Sequence, residues 1–156
     1  MGLDFDFAKL DARDVLDIAM FIEQEARDRY IDFADHMGRQ GNEGAAAFFR
    51  RMAGLEARHR EQIATKREAL FAGQPARYTD DVEWDVEGPE YDPNRTEMTL
   101  RQALDIAVRS EQDAYDYYAS AMEYLTETAV TEMLDELRLA EVEHKRLLES
   151  ELAKLG

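Results

Sequence analysis

Three observations on the sequence predict an all-α fold, an antiparallel four-helix bundle with a long crossover between helices two and three. Apolar residues recur in steps of three and four along four long stretches. Short polar turns join these stretches in pairs, and one 25-residue segment, 74–98, breaks the pattern and holds all three prolines. The 156 residues are read as one domain, 1–156, long enough for a sizeable core and too short for two ordinary ones.

Asp11 is placed to cap a first helix over about 12–37, in which Val15, Leu16, Ala19, Glu23, Ala26, Tyr30, Phe33 and Met37 follow one face. Gly38 and Gly41 supply the stop, and Asn42 is the next cap. The second helix, about 43–70, carries Phe49, Met52, Glu56, His59, Ile63 and Leu70 on one face and ends at Gly73. Thr99 and Gln102 make a capping-box pattern for a third, about 99–125, through Ala103, Ala107, Glu111, Ala114, Tyr118, Ala121 and Leu125. Thr126 is the expected cap of a fourth, about 127–154, with Val130, Met133, Leu137, Glu141, His144, Leu148 and Leu152 on its face. The turns inside each pair are short, so about 12–71 and 99–154 form two antiparallel hairpins.

The segment 74–98 contains Pro75, Pro89, Pro93, the only tryptophan, Trp84, and the acidic run Asp80, Asp81, Glu83, Asp85 and Glu87. So long a connection inside a compact domain calls for a geometric reason. With helices of roughly 27 residues, about 40 Å long, an extended crossover reaches from one end of the bundle to the other. The third helix then runs parallel to the second. Tyr78, Trp84 and Tyr91 are expected to pack the crossover on the bundle.

Composition excludes several function classes. Nineteen basic against 35 acidic residues give a net charge of −16, which disfavours nucleic acid and anionic membranes as partners. The absence of cysteine removes disulfides, iron–sulfur clusters, rubredoxin-type iron and thiol catalysis. No run of 18 apolar residues exists, so no integral membrane segment is expected. The acidic start, Met1 to Asp6, does not read as a secretory signal, and a cytoplasmic setting is expected.

The sequence also repeats itself. Leu16-Asp17-Ile18-Ala19, Glu23-Gln24, Ala26, Asp28 and Tyr30 recur 88 residues on as Leu104-Asp105-Ile106-Ala107, Glu111-Gln112, Ala114, Asp116 and Tyr118. Glu56-Ala57-Arg58-His59 recurs 85 residues on as Glu141-Val142-Glu143-His144. Each hairpin thus supplies one lone glutamate and one Glu-x-x-His, and two hairpins packed about a pseudo-twofold axis bring them together. One Glu-x-x-His in so acidic a chain is weak evidence; two at repeated positions, each with a matched glutamate, are not. The four expected helix midpoints fall near 24, 56, 112 and 140, beside Glu23, Glu56, Glu111 and Glu141. In an antiparallel bundle midpoints share a level, so the candidate ligands form one layer.

Four carboxylates converging among Ala19, Ala26, Met52, Ala107, Ala114 and Leu137 are severely unfavourable unless protons or metal relieve them. Two divalent ions would balance them. Glu56 and Glu141 are placed to bridge, Glu23 and Glu111 to serve as terminal ligands, and His59 and His144 to bind through one ring nitrogen each. Tyr30 and Tyr118, seven residues beyond Glu23 and Glu111, are second-sphere candidates for a hydroxyl–carboxylate hydrogen bond. Asp28 and Asp116 are weighed as supports for the far imidazole nitrogens. Any one of these glutamates alone is more often a solvated helix residue, Tyr30 and Tyr118 can be plain core aromatics, and His36, without a repeat partner, stays structural. Carboxylate and imidazole admit two iron ions, with manganese or zinc as other occupants. Iron is preferred, because an adjacent ferrous pair supplies the two electrons that take hydrogen peroxide to water.

The pattern Glu23 with Tyr30, Glu56-x-x-His59, Glu111 with Tyr118, and Glu141-x-x-His144 resembles the rubrerythrin branch of the ferritin-like superfamily. The resemblance spans Val15 to Leu152 apart from the linker. It implies a ferritin-like bundle with a di-iron centre that reacts with peroxide or dioxygen, in a homodimer or larger assembly. Two departures stand out. The rubredoxin cysteines typical of rubrerythrins are missing, so an external electron donor is needed. Ala114 stands where those proteins tend to have an extra glutamate, so the site is more symmetric, as in bacterioferritin. The expected function is a di-iron oxidoreductase reducing hydrogen peroxide. The alternatives are a ferroxidase acting on ferrous iron with dioxygen or peroxide, and a non-enzymatic iron-binding or delivery protein.

Overall fold

A computed structural model of the chain describes residues 6–78 and 98–155. A single 3-10 turn, Phe7–Lys9, leads into helices α1 (Ala12–Arg39), α2 (Glu43–Phe71), α3 (Leu100–Met122) and α4 (Thr128–Ala153). The fold is an all-α, ferritin-like four-helix bundle. Among the described residues no helix is long and apolar enough to cross a membrane.

The caps explain most of the boundaries. Asp11 Oδ1 accepts from Asp14 N at 2.9 Å while Asp14 Oδ2 accepts from Asp11 N at 3.0 Å, a reciprocal capping box. Thr99 and Gln102 make the same pair at the start of α3. Asn42 accepts from Ala45 N and starts α2. Between α1 and α2, Gly41 takes φ +80°, with Gly41 N bonded to Gly38 O and Asn42 N to Met37 O. This left-handed residue after the last turn suits glycine and turns the chain back within three residues.

Two boundaries differ from the sequence expectation. α3 stops at Met122 rather than near Leu125, and α4 is capped by Glu127, not Thr126, without a side-chain cap bond. Leu125 still packs against the core, so its apolar character marks burial and not helix.

The core is two apolar clusters. One joins early α1 (Val15, Leu16, Ile18) to late α2 (Ile63), late α3 (Tyr117, Ala121) and early α4 (Val130, Leu134). The other joins late α1 (Phe33, Met37) to early α2 (Phe49, Met52), early α3 (Leu104, Ala107) and late α4 (Leu148). These groupings make α2 and α3 parallel, with each antiparallel to its hairpin partner. Phe71 and Tyr78 pack in the first cluster and Met98 in the second, so α2 ends at one end of the bundle and α3 begins at the other. The expected packing of Trp84 and Tyr91 lies outside the described residues.

Candidate metal centre

Between the two apolar clusters lies a layer of charge. Glu23, Glu56, Glu111 and Glu141 are buried at 0–2% exposure, one from each helix, at the mid-helix level their positions predict. His59 and His144 stand one turn beyond Glu56 and Glu141 and stack nearly parallel, with centroids 5.3 Å apart. Both imidazoles aim Nδ1 at the carboxylates. His59 Nδ1 lies 3.1 Å from Glu23 Oε1 and 3.5 Å from Glu56 Oε1. His144 Nδ1 lies 3.3 Å from Glu141 Oε1 and 3.5 Å from both Glu111 Oε1 and Glu56 Oε1. Glu56 Oε1 therefore sits midway between the two rings. Ligand atoms of Glu56, His59, Glu141 and His144 all fall within 4.8 Å of one another.

The tyrosines correct the simplest sequence reading. Seven residues along a helix is a rise of about 10 Å, too far for a phenol to reach the glutamate of its own helix. The bonds cross between α1 and α3 instead. Tyr30 donates to Glu111 Oε2 at 2.5 Å, and Tyr118 to Glu23 Oε2 at 2.5 Å. Each lone glutamate keeps its second oxygen for the interior. Asp28 and Asp116 do not serve the imidazoles: both are exposed, accepting from Gln24 and Gln112 on their own helices. His36 is buried but 3.6 Å from Asp32, at the end of α1 and apart from the layer. The buried pair Arg29 Nη1 to Ser110 Oγ, 3.0 Å, carries no signal in the sequence, since neither residue has a matching partner in the repeat.

The electrostatics are those of a site short of positive charge. Burial, then the charges of Glu111, Glu23 and Glu141, push the Glu56 carboxyl well above its usual range. Burial and the Glu111 and Glu23 charges do the same to Glu141. Burial would raise Glu111 too, but the His144 imidazole 3.5 Å away, with help from Tyr30 and Glu141, holds it low. Burial would lower His144, yet Glu111, Glu56 and Glu23 raise it to about 9. Both Glu56 oxygens, Glu111 Oε1, Glu141 Oε1 and His144 Nδ1 are buried without a hydrogen-bond partner. So many inward-facing orphaned donors of oxygen and imidazole nitrogen fit cations and little else.

A cavity of about 380 Å³ reaches this layer from the α3/α4 side, with Glu111 and Glu141 in its lining alongside Gln112, Val142 and Lys145. Lys145 Nζ donates to Gln112 Oε1 at 2.9 Å across it.

The rubrerythrin family profile matches residues 14–152, nearly the whole chain and all six candidate ligands. The chain belongs to the rubrerythrin family. An uncharacterised conserved protein of Magnetospirillum magnetotacticum MS-1 is 26% identical, with 91% of this chain and 93% of that one covered at a TM-score of 0.73. Rhodobacter capsulatus bacterioferritin, solved with a metal-free dinuclear site and haem iron, is 22% identical, with 100% and 91% covered at 0.74. Mycobacterium tuberculosis bacterioferritin is 23% identical, with 99% and 89% covered at 0.71. The comparison with curated proteins gives no significant match. For this rubrerythrin-family chain, the profile and the His/Glu cluster together fit a metal-binding site.

Proposed function

We propose that this rubrerythrin-family protein is a di-iron oxidoreductase that reduces hydrogen peroxide with electrons from a separate donor. The observation that carries the reading is the buried layer of four carboxylates and two inward Nδ1 atoms, most of them lacking any other partner. Glu56 and Glu141 would be shared by two ions, with Glu23 and His59 holding one and Glu111 and His144 the other. When bound, the two irons supply the two electrons that a peroxide needs to become two waters.

The protein's own part is placement and exclusion. Tyr30 and Tyr118 fix the rotamers of Glu111 and Glu23 by tying down one oxygen of each. The apolar clusters above and below keep bulk water from the layer. The cavity on the α3/α4 side admits a small oxidant, and Lys145 and Gln112 give it polar partners on the way. The two protons consumed per peroxide enter through the same opening. A homodimer in the cytoplasm is part of this reading, as the family resemblance and the cysteine-free composition suggest.

One observation favours ferroxidase activity as the second reading. Ala114 is buried beside the site, so α3 brings no additional carboxylate and the layer stays symmetric. Stopped-flow absorbance of the anaerobic diferrous protein, mixed separately with peroxide and dioxygen at equal concentration, distinguishes them. Faster oxidation by peroxide is expected. A dioxygen rate equal or greater overturns the peroxidase reading in favour of ferroxidase.

A further inference from the structure

Each tyrosine that reaches a carboxylate of the layer follows a residue that also crosses between α1 and α3. Tyr30 donates to Glu111, and Arg29 just before it donates to Oγ of Ser110, just before Glu111, at 3.0 Å. Tyr118 donates to Glu23, and Tyr117 just before it donates to Val15 O at 3.0 Å. All four donors are buried, Arg29 at 5% exposure and the three tyrosines at 0–3%. Arg29 and Tyr117 hold the same place in the repeat, 88 residues apart, yet share little chemistry beyond a hydrogen-bond donor. A buried guanidinium is costly, and Arg29 is not among the six candidate ligands.

We propose that Arg29 and Tyr117 are positioning residues, which fix the roll and slide of α1 against α3 so that each crossed phenol meets its glutamate. This rests on the two-metal reading above and adds the residues that hold its supports in place. Successive residues on a helix point about 100° apart and differ in height by about 1.5 Å. Two donors in a row therefore grip the opposite helix at two different angles. A lone Tyr30–Glu111 bond would let α1 roll about it, and the Arg29–Ser110 bond beside it removes that freedom. At the other crossing the second anchor lies farther off. Val15 precedes Glu23 by a rise of about 12 Å along α1, and its carbonyl belongs to helical backbone that cannot turn away. Tyr117 and Val15 sit in the first apolar cluster and Tyr30 in the second, so the two anchored crossings lie on opposite sides of the layer. Loss of one anchor lets the helices part at that end. Arg29 thereby serves the metal position of Glu111 and His144, and Tyr117 that of Glu23 and His59.

Anaerobic titration with cobalt(II) tests this without peroxide, dioxygen or turnover. Absorbance bands are assigned to the two positions with the His59→Ala and His144→Ala proteins. Arg29→Met keeps the bulk of the side chain and removes the donor. It should weaken the Glu111 and His144 position about three- to tenfold and leave the other within about twofold. Ser110→Ala removes the same bond from its other end and should give the same one-sided loss. Tyr117→Phe keeps the ring and should weaken the Glu23 and His59 position instead. Arg29→Lys retains a donor and should recover part of the affinity lost in Arg29→Met, which a purely packing role would not produce. Asp11→Ala, which lowers stability away from the layer, should leave both positions as in the parent. Equal losses at the two positions in Arg29→Met, Ser110→Ala and Tyr117→Phe, or no loss in any of them, overturn the positioning role while the two-metal reading stands. A parent protein that takes up fewer than two equivalents of cobalt overturns both.

Discussion

Helices α1 and α3 carry the same glutamate, alanine and tyrosine at the same spacings, but they do not live in the same surroundings. Asp17 of the first half is buried and clasped by Arg67, with Nε to Oδ1 at 2.8 Å, whereas its counterpart Asp105 is exposed. His59 keeps 15% of its side chain in solvent and His144 only 5%. Arg29 and Tyr117 occupy equivalent places, one reaching Ser110 and the other Val15 O and Phe7. The repeat preserves the charged layer and the tyrosines that support it, and lets many of the residues around them diverge. Two halves that agree on the charged layer still differ around it: the cavity opens toward α3/α4, and Tyr117 and Phe7 back Tyr118 where Phe33 and Phe49 back Tyr30.

The largest expected effect is at the residue both halves share. Glu56 Oε1 is 3.5 Å from each histidine, so Glu56→Ala should drop metal content from two ions per chain toward none. Elemental analysis after anaerobic loading decides this. Retention of one full equivalent would assign Glu56 to one half instead of the axis.

Next are the crossed tyrosines. Tyr118→Phe should weaken binding at the metal position proposed for Glu23 and His59, and Tyr30→Phe at the one proposed for Glu111 and His144, each by roughly 10–100-fold in affinity. Site-resolved titration, with His59→Ala and His144→Ala as references for each position, reads the assignment. Loss at the ion nearer in sequence, rather than the one across the bundle, would contradict the crossing.

A smaller effect follows from removing metal. Without it, Glu56 and Glu141 have folded pKa values above their unfolded ones, so the folded state holds protons that the unfolded state releases above about pH 4.5. Stability then falls as pH rises. His144, raised to about 9, contributes stability in full below an unfolded value of about 6.5 and loses it as pH climbs through 9. Glu111, held low, runs the other way only under acid conditions. The melting temperature of chelator-treated protein should therefore decline from pH 6 to pH 9, and the decline should shrink once metal is restored. A rise over that range would mean that the layer is not charged as described.

The smallest effect compares the two halves at their starts. Asp11→Ala and Thr99→Ala each remove one arm of a capping box and should each cost about 1 kcal/mol in chemical denaturation. Asp11 also stands beside Arg77, 3.9 Å away, so the Asp11 variant is expected to lose slightly more than the Thr99 one.

The sequence by itself determined the four helices, three of their four N-terminal caps, the one-layer placement of Glu23, Glu56, His59, Glu111, Glu141 and His144, and the position of His36 outside that layer. Each of these is a local or periodic property: a cap needs residues three apart, a face needs steps of three and four, and the repeat can be read by aligning the chain on itself. Only the tertiary structure decided that Tyr30 serves Glu111 and Tyr118 serves Glu23, that both histidines present Nδ1, and that Asp28 and Asp116 stay on the surface. It also decided that Arg29 finds Ser110 and that Phe7 packs between Tyr117 and Tyr124. These depend on how far one helix slides along another and on which rotamer packing leaves open. Neither quantity leaves a period in the sequence, because it is set jointly by side chains about 80 to 117 positions apart.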